Sequence, residues 1–125
     1  MHFSKHYTVE EARRLLPSAR QWLTDLEACQ KRLAHLDERI AALLAKGHDA
    51  GGEPVNLLIQ TLAQCQQILG EFRRRQIQVK DLRRGLLDFP SLRQGREVFL
   101  CWEKDEEDIE FWHELEAGYA GRERL

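Results

Sequence analysis

Along the first third of the chain, apolar residues recur at Ala12, Leu15, Leu16, Ala19, Trp22, Leu23, Leu26, Cys29, Leu33, Leu36, Ile40, Leu43 and Leu44. Steps of three and four sustained this long put one apolar stripe on a long helix. Thr8-Val9-Glu10-Glu11 marks its start. The Thr8 hydroxyl accepts from the N–H of residue 11, and the Glu11 carboxylate accepts from the N–H of Thr8, which is a capping box. Pro17 lacks a donor and drives Leu16 away from helical geometry. The spacing therefore predicts a kink or break, with a short piece over 9–16 leading into a long one over 18–46. Gly47 ends it. After a flexible connection over 48–53, Pro54 opens a second helix. Val55, Leu58, Leu62, Cys65, Leu69 and Phe72 form its seam, widened by Ile59 and Ile68, with Leu62 at the centre. The connection is short, so the two helices are expected to lie antiparallel.

Beyond Phe72 the period changes to two. Ile77–Leu82, Gly85–Pro90, Arg96–Trp102 and Ile109–His113 read as extended runs. A turn at Asp105-Glu106 would pair Trp102 with Ile109, Leu100 with Phe111 and Val98 with His113, leaving Cys101 on the other face beside Glu110. Both faces are partly apolar and need cover. The helices supply it on one side, and the N-terminal segment or a second subunit on the other. The expected class is α+β: a long antiparallel helical hairpin over about 8–76, kinked or broken at Pro17, then a small antiparallel β-sheet of three to four strands over about 77–125, one domain across 1–125.

Composition narrows the function classes. Of 125 residues, 42% are hydrophobic and 32% charged, a globular balance with a net charge of -2. There is no global electrostatic case for nucleic acid or a membrane surface, and no apolar run long enough to span a bilayer. Residues 77–125 carry 8 Lys+Arg against 12 Asp+Glu. The basic cluster Arg73, Arg74, Arg75, Lys80, Arg83 and Arg84 before them reads as a solvated helix end complementing the dipole. It lacks the interleaved aromatics of a single-strand binder. Cys29, Cys65 and Cys101 are odd in number and far apart. They suit a reducing compartment rather than a disulfide framework, and residues 1–6 have no apolar leader segment, so a cytoplasmic location is expected.

Several C-terminal motifs occur in order: Val79-Lys80-Asp81-Leu82, Gly85-Leu86-Leu87-Asp88-Phe89-Pro90, Gly95 through Trp102, Phe111-Trp112-His113-Glu114, and Ala117 through Arg122. With Tyr7 through Ala12 and Leu15-Leu16-Pro17 at the start, the chain resembles a family of small bacterial proteins, domain of unknown function 2203, over nearly its whole length. It departs from the resemblance at the acidic turn, where the family tends to place a glycine near Asp105. The resemblance supports the fold and implies no activity and no catalytic residues.

Polar residues inside apolar runs are the candidates for chemistry. Asp81 and Asp88 sit in extended runs that disfavour aspartate. Arg96 and Arg122 are their candidate ion-pair partners. Gly118 and Gly121 allow the tail to fold back, so that Arg122 reaches Asp88 or Glu114 beside aromatic walls that include Trp102. Asp81, Asp88, Arg96, Trp102, His113, Glu114 and Arg122 thus form the candidate ligand or anion site. His113, Glu114, Glu116 and Cys101 are the candidate metal ligands. Placing Cys101 and His113 on opposite faces argues against a thiol–imidazole dyad, and Cys101 reads as a small core residue. No phosphate loop, Ser-His-Asp order or HExxH helix is present.

The expected function is a non-enzymatic cytosolic interaction or ligand-binding module acting as a homo-oligomer, with no cofactor and with itself, an unidentified protein or a small ligand as partner. If helix one continues through Pro17 it exceeds helix two by about 15 residues, leaving roughly 20 Å of apolar stripe without an intrachain helical partner. The alternative is a small metal-binding protein or enzyme with a polar site around Asp88, His113, Glu114 and Arg122, holding a divalent ion.

Overall fold

The computed structural model describes residues 1–49 and 51–125; Ala50 of the helix connection lies outside the described residues. The capping box forms as its chemistry demands: Thr8 N–H donates to Glu11 Oε1 (2.9 Å) and Glu11 N–H to Thr8 Oγ1 (3.1 Å). Helix α1 runs from Val9 to Ala45 and α2 from Glu53 to Arg74. Both end in a 6→1 and 5→2 pair of hydrogen bonds, the Schellman arrangement. At α1, His48 donates to Leu43 and Gly47, at φ 75°, to Leu44. At α2, Ile77 donates to Phe72 and Gln76 to Arg73.

The expected division of helix one is corrected. The helix continues through Pro17. Pro17 is exposed, while Ala12, Leu16 and Ala19 on either side are buried. Their packing offsets the loss of one backbone bond, a local cost of about 3 kcal/mol. The expected α2 seam holds at Cys65 and Phe72, which are buried, but not at its centre. Leu62 is 45% exposed and Thr61 is 3% exposed. The buried line runs Pro54, Thr61, Cys65 and Phe72, with Leu58 and Ile68 half-buried. The Thr61 hydroxyl donates to the Leu57 carbonyl (2.8 Å), so its burial leaves no polar atom unsatisfied.

The sheet has five strands rather than three or four, in order β1-β2-β3-β4-β5: β1 Gln78–Asp81, β2 Leu86–Arg93, β3 Arg96–Glu103, β4 Phe111–Glu114 and β5 Glu123–Arg124. It is an antiparallel meander. Residue contacts divide the chain into two compact units, Met1–Leu23 with Glu71–Leu125, and Thr24–Gly70.

In the first unit, one face of the sheet presents Leu87, Phe89, Val98, Leu100, Trp102 and Trp112 to Ala12, Leu16, Ala19, Leu23 and Phe72. The α1 residues that outrun α2 therefore pack on the sheet rather than on a helix. The outer face is covered by the N-terminal segment: Phe3 meets Phe99 edge-on with ring centroids 5.4 Å apart. The Glu97 carboxylate anchors the strap, accepting from His2 N–H (2.6 Å) and Phe3 N–H (2.9 Å) and bonding the His6 ring (2.8 Å). In the second unit, the α1 and α2 segments lie antiparallel, with Cys29 opposite Gln64 and Arg39 opposite Glu53.

The strap carries an acid-dependent prediction. Burial opposes ionisation of Glu97, but its donors, the His2 N–H foremost, hold its carboxyl down at about 2. The folded value lies below the ordinary 4.5. The strap is therefore at full strength above that value and weakens as pH falls from there towards about 2. Hydrogen exchange at the His2 and Phe3 amides should accelerate over this window beyond the intrinsic pH trend. Glu97→Gln should remove the pH dependence, and an unchanged profile in that variant would contradict the assignment.

Candidate metal centre

The register between β3 and β4 decides what the outer face carries. Phe99 pairs with His113, Leu100 with Trp112 and Cys101 with Phe111. This is one residue off the pairing expected from a turn at Asp105-Glu106. Because side chains alternate, a one-residue slip moves the whole strand to the other face. The connection is a wide loop over 104–110. It is built around Arg20, which donates to the carbonyls of Lys104 (2.9 Å) and Glu106 (2.8 Å), and around Trp102 Nε1, which donates to Glu106 O (2.9 Å). Arg13 adds an ion pair to Asp108 at 2.9 Å. The loop is shaped by helix arginines distant in sequence.

The corrected register brings Cys101 and His113 to one face. Asp88 pairs directly with Cys101 across β2 and β3. The donor atoms of Asp88, Cys101 and His113 all lie within 4.8 Å of one another. The three are 2%, 0% and 1% exposed.

The hydrogen bonding of His113 fixes its chemistry. Nδ1 lies 2.7 Å from the Glu114 carbonyl oxygen. A carbonyl only accepts, so Nδ1 carries the proton. Nε2 lies 3.0 Å from both Asp88 oxygens. With no further proton on the ring, Nε2 would turn its lone pair towards a carboxylate. Two acceptors at that distance require a cation between them, either a proton or a metal ion. Burial raises the Asp88 carboxyl above its usual range, opposed by His113. Burial, with the Asp88 carboxylate alongside, pushes the Cys101 thiol up to about 12, against the pull of Arg122.

Beside the cluster lies a cavity of about 220 Å³ lined by Lys80, Leu86, Glu116 and Tyr119 as well as the three donors. Lys80 Nζ sits 5.3 Å from the centre of the Phe99 ring on the same face. Arg122 approaches from the tail. It donates to Cys101 Sγ at 3.9 Å and forks onto Glu106 at 3.1 and 2.8 Å. Its guanidinium stacks between Phe111 (3.9 Å) and Tyr119 (4.2 Å). The fold-back of the tail is as expected: Gly118 has φ 66°, and a Cβ on Gly121 would stand 2.7 Å from that of Ala117.

The remaining candidates separate from this site. Arg122 reaches Glu106, not Asp88 or Glu114. Glu114 projects to the face opposite His113 and pairs with Arg96 at 2.9 Å; it offers the site only its carbonyl. Asp81 caps the following turn, accepting from Arg84 N–H at 3.1 Å. Trp102 is buried in the core on the helix side. Glu116 borders the cavity without touching the donor set. Three members of the basic cluster form local pairs, Arg74 and Arg75 with Glu71, and Arg84 with Glu103. Cys101, one of the candidate metal ligands, reads from sequence chiefly as a small core residue on the face away from His113. Its signal was its place opposite Asp88 in adjacent apolar strands, which needed the β2–β3 pairing to be seen.

The family model described as uncharacterized conserved protein (DUF2203) matches residues 5–125. No curated protein and no solved structure matches the chain. No helix among the described residues is long and apolar enough to cross a membrane.

Proposed function

The chain belongs to the DUF2203 family, and we propose that this member is a metal-binding protein holding one divalent transition-metal ion, zinc foremost, on Asp88, Cys101 and His113. The observation that carries the reading is the convergence of three buried donors within 4.8 Å, with the histidine's other nitrogen bonded to a backbone carbonyl. That bond is the outer-sphere contact that orients a ligating imidazole. Thiolate, imidazole and one carboxylate suit zinc or its close neighbours. A divalent ion with an aspartate, a thiolate and a neutral ring sums to zero charge, which a buried site favours. Three protein ligands leave one tetrahedral position open, as in zinc sites that bind an exchangeable molecule rather than closed structural ones. The cavity of about 220 Å³ is lined by all three donors.

Nucleophilic thiol catalysis fits less well. A thiol needs a base within reach, and both ring nitrogens of His113 are engaged, one by Glu114 and one by Asp88. The metal would displace the thiol proton on binding.

The test is elemental analysis of the native protein, followed by titration of chelator-treated protein with Zn²⁺ and Co²⁺. One equivalent should bind, and cobalt should give a thiolate-to-metal charge-transfer band. Cys101→Ser should lose that band and weaken binding by more than about a hundredfold. Native protein without a transition metal, together with no uptake of either ion, would overturn the reading.

The expected self-association keeps a narrower support, the exposure of Leu44, Ile59 and Leu62 in the second unit (60%, 59% and 45%). Light scattering should give a dimer or larger mass at micromolar concentration, and a monomer mass would refute it.

A further inference from the structure

Asp88, Cys101 and His113 share their cavity of about 220 Å³ with side chains that hold no metal. Its volume is below the roughly 300–1,000 Å³ of pockets for drug-sized molecules, so its occupant is small. Leu86, Leu115 and the Tyr119 ring give it apolar walls, and Lys80 is the one cationic side chain among the described residues that line it. The placement of Lys80 follows from the β1–β2 register. Gln78 pairs with Asp88, so Lys80, two residues on, shares the face of Asp88. Val79 then pairs with Leu87 and Asp81 with Leu86, which leaves Lys80 as the extra residue of a bulge. A bulge re-aims a side chain, and bulges recur beside sites for that reason. Lys80 Nζ stands 5.3 Å from the centre of the Phe99 ring, and that centre lies 5.5 Å from the centre of the His113 ring. Asp88, on the same face, pairs with His113 instead, and Lys80 is in no ion pair among the described residues.

Resting on the metal reading above, we propose that the open position of the ion takes a small aliphatic monocarboxylate, one oxygen on the metal and the other on the Lys80 ammonium. A divalent ion with an aspartate, a thiolate and a neutral ring is already uncharged. A bound anion therefore adds one negative charge, which Lys80 balances through a charge-assisted hydrogen bond. The two leucines receive the alkyl part. Glu116 also lines the cavity and is exposed. Its carboxylate opposes a second negative charge, so the site selects a monoanion over phosphate.

The test uses the full chain saturated with Co²⁺, with propionate as the probe and inorganic phosphate as the rejected anion. The thiolate-to-metal band reports the ion, and the ligand-field bands report its fourth ligand. Propionate should shift the ligand-field bands saturably and leave the thiolate band in place. Lys80→Gln should take up Co²⁺ as the wild type does and bind propionate at least about tenfold more weakly, the loss of one charge-assisted bond. Lys80→Arg should keep most of the affinity. Phosphate should bind more weakly than propionate, and Glu116→Gln should narrow that gap. No saturable shift in the cobalt-loaded protein, an unchanged propionate affinity in Lys80→Gln, or phosphate binding as tightly as propionate would each overturn the proposal while the metal reading stands. Failure of the wild type to take up Co²⁺ would overturn both.

Discussion

Replacing His113 by alanine should lower stability by about 3–5 kcal/mol at neutral pH, because removing one partner of a buried ion pair strands the other. Asp88 is 2% exposed, and Nε2 of His113 faces both of its oxygens at 3.0 Å. Without the ring, the carboxyl keeps the Cys101 thiol and the charge of Lys80 as its polar neighbours. The loss should depend on pH in a stated direction. Burial already raises the Asp88 carboxyl, and His113 is the largest influence opposing that rise. In the variant the folded value climbs further. The folded variant then binds a proton that the unfolded chain has released, so its stability falls as pH rises through the window between the two values. The deficit against wild type should be largest at neutral pH and shrink on acidification. Urea denaturation across pH, read alongside far-ultraviolet circular dichroism, measures both. The variant should keep its helical signal and lose Zn²⁺ binding. A deficit below about 1 kcal/mol at neutral pH would mean that the pair is not held as described. Asp88→Asn with His113 intact should cost less, since the amide keeps a donor and an acceptor for its neighbours.

The hairpin was legible wherever a local chemical rule decided the outcome. Thr8 and Glu11 need only each other, and Gly47 needs only its own positive φ. Failures came where partners distant in sequence decided. Whether Thr61 or Leu62 turns inward depends on how α2 meets α1, and Thr61 can be buried because its own helix satisfies its hydroxyl. The fifth strand, Glu123–Arg124, has no apolar alternation to announce it and exists because the tail pairs with Phe111 and Trp112. The site was half legible. Asp88 and His113 stood out as polar residues in apolar strands. Their convergence with Cys101 depended on a one-residue register set by Arg20 and Trp102 holding the 104–110 loop. No turn motif encodes that. Arg122 was legible as a residue with a purpose, but its partner, Glu106, lies in the loop whose shape the sequence did not reveal.

Phe72→Ala should cost about 3–5 kcal/mol, the range for a large aromatic removed from a packed core. Phe72 is 1% exposed at the end of α2. It meets Trp22 edge-on with centroids 5.3 Å apart, and it belongs to the core that joins the first part of α1 to the inner face of the sheet. Truncation removes the ring's apolar burial and leaves a cavity bounded by an α1 backbone that cannot move inward without disturbing Ala19 and Leu23. Edge-on geometry adds about 0.5–1.5 kcal/mol beyond area, all of it lost. Leu62→Ala is the control from the same helix. Apolar spacing alone would rank Leu62 as a seam residue equal to Phe72, yet it is 45% exposed. Its truncation should cost about 1 kcal/mol or less. Chemical denaturation of the two variants under one set of conditions decides the matter. If Leu62→Ala destabilises as much as Phe72→Ala, the buried line of α2 runs through Leu62 and the phase described for Thr61 is wrong.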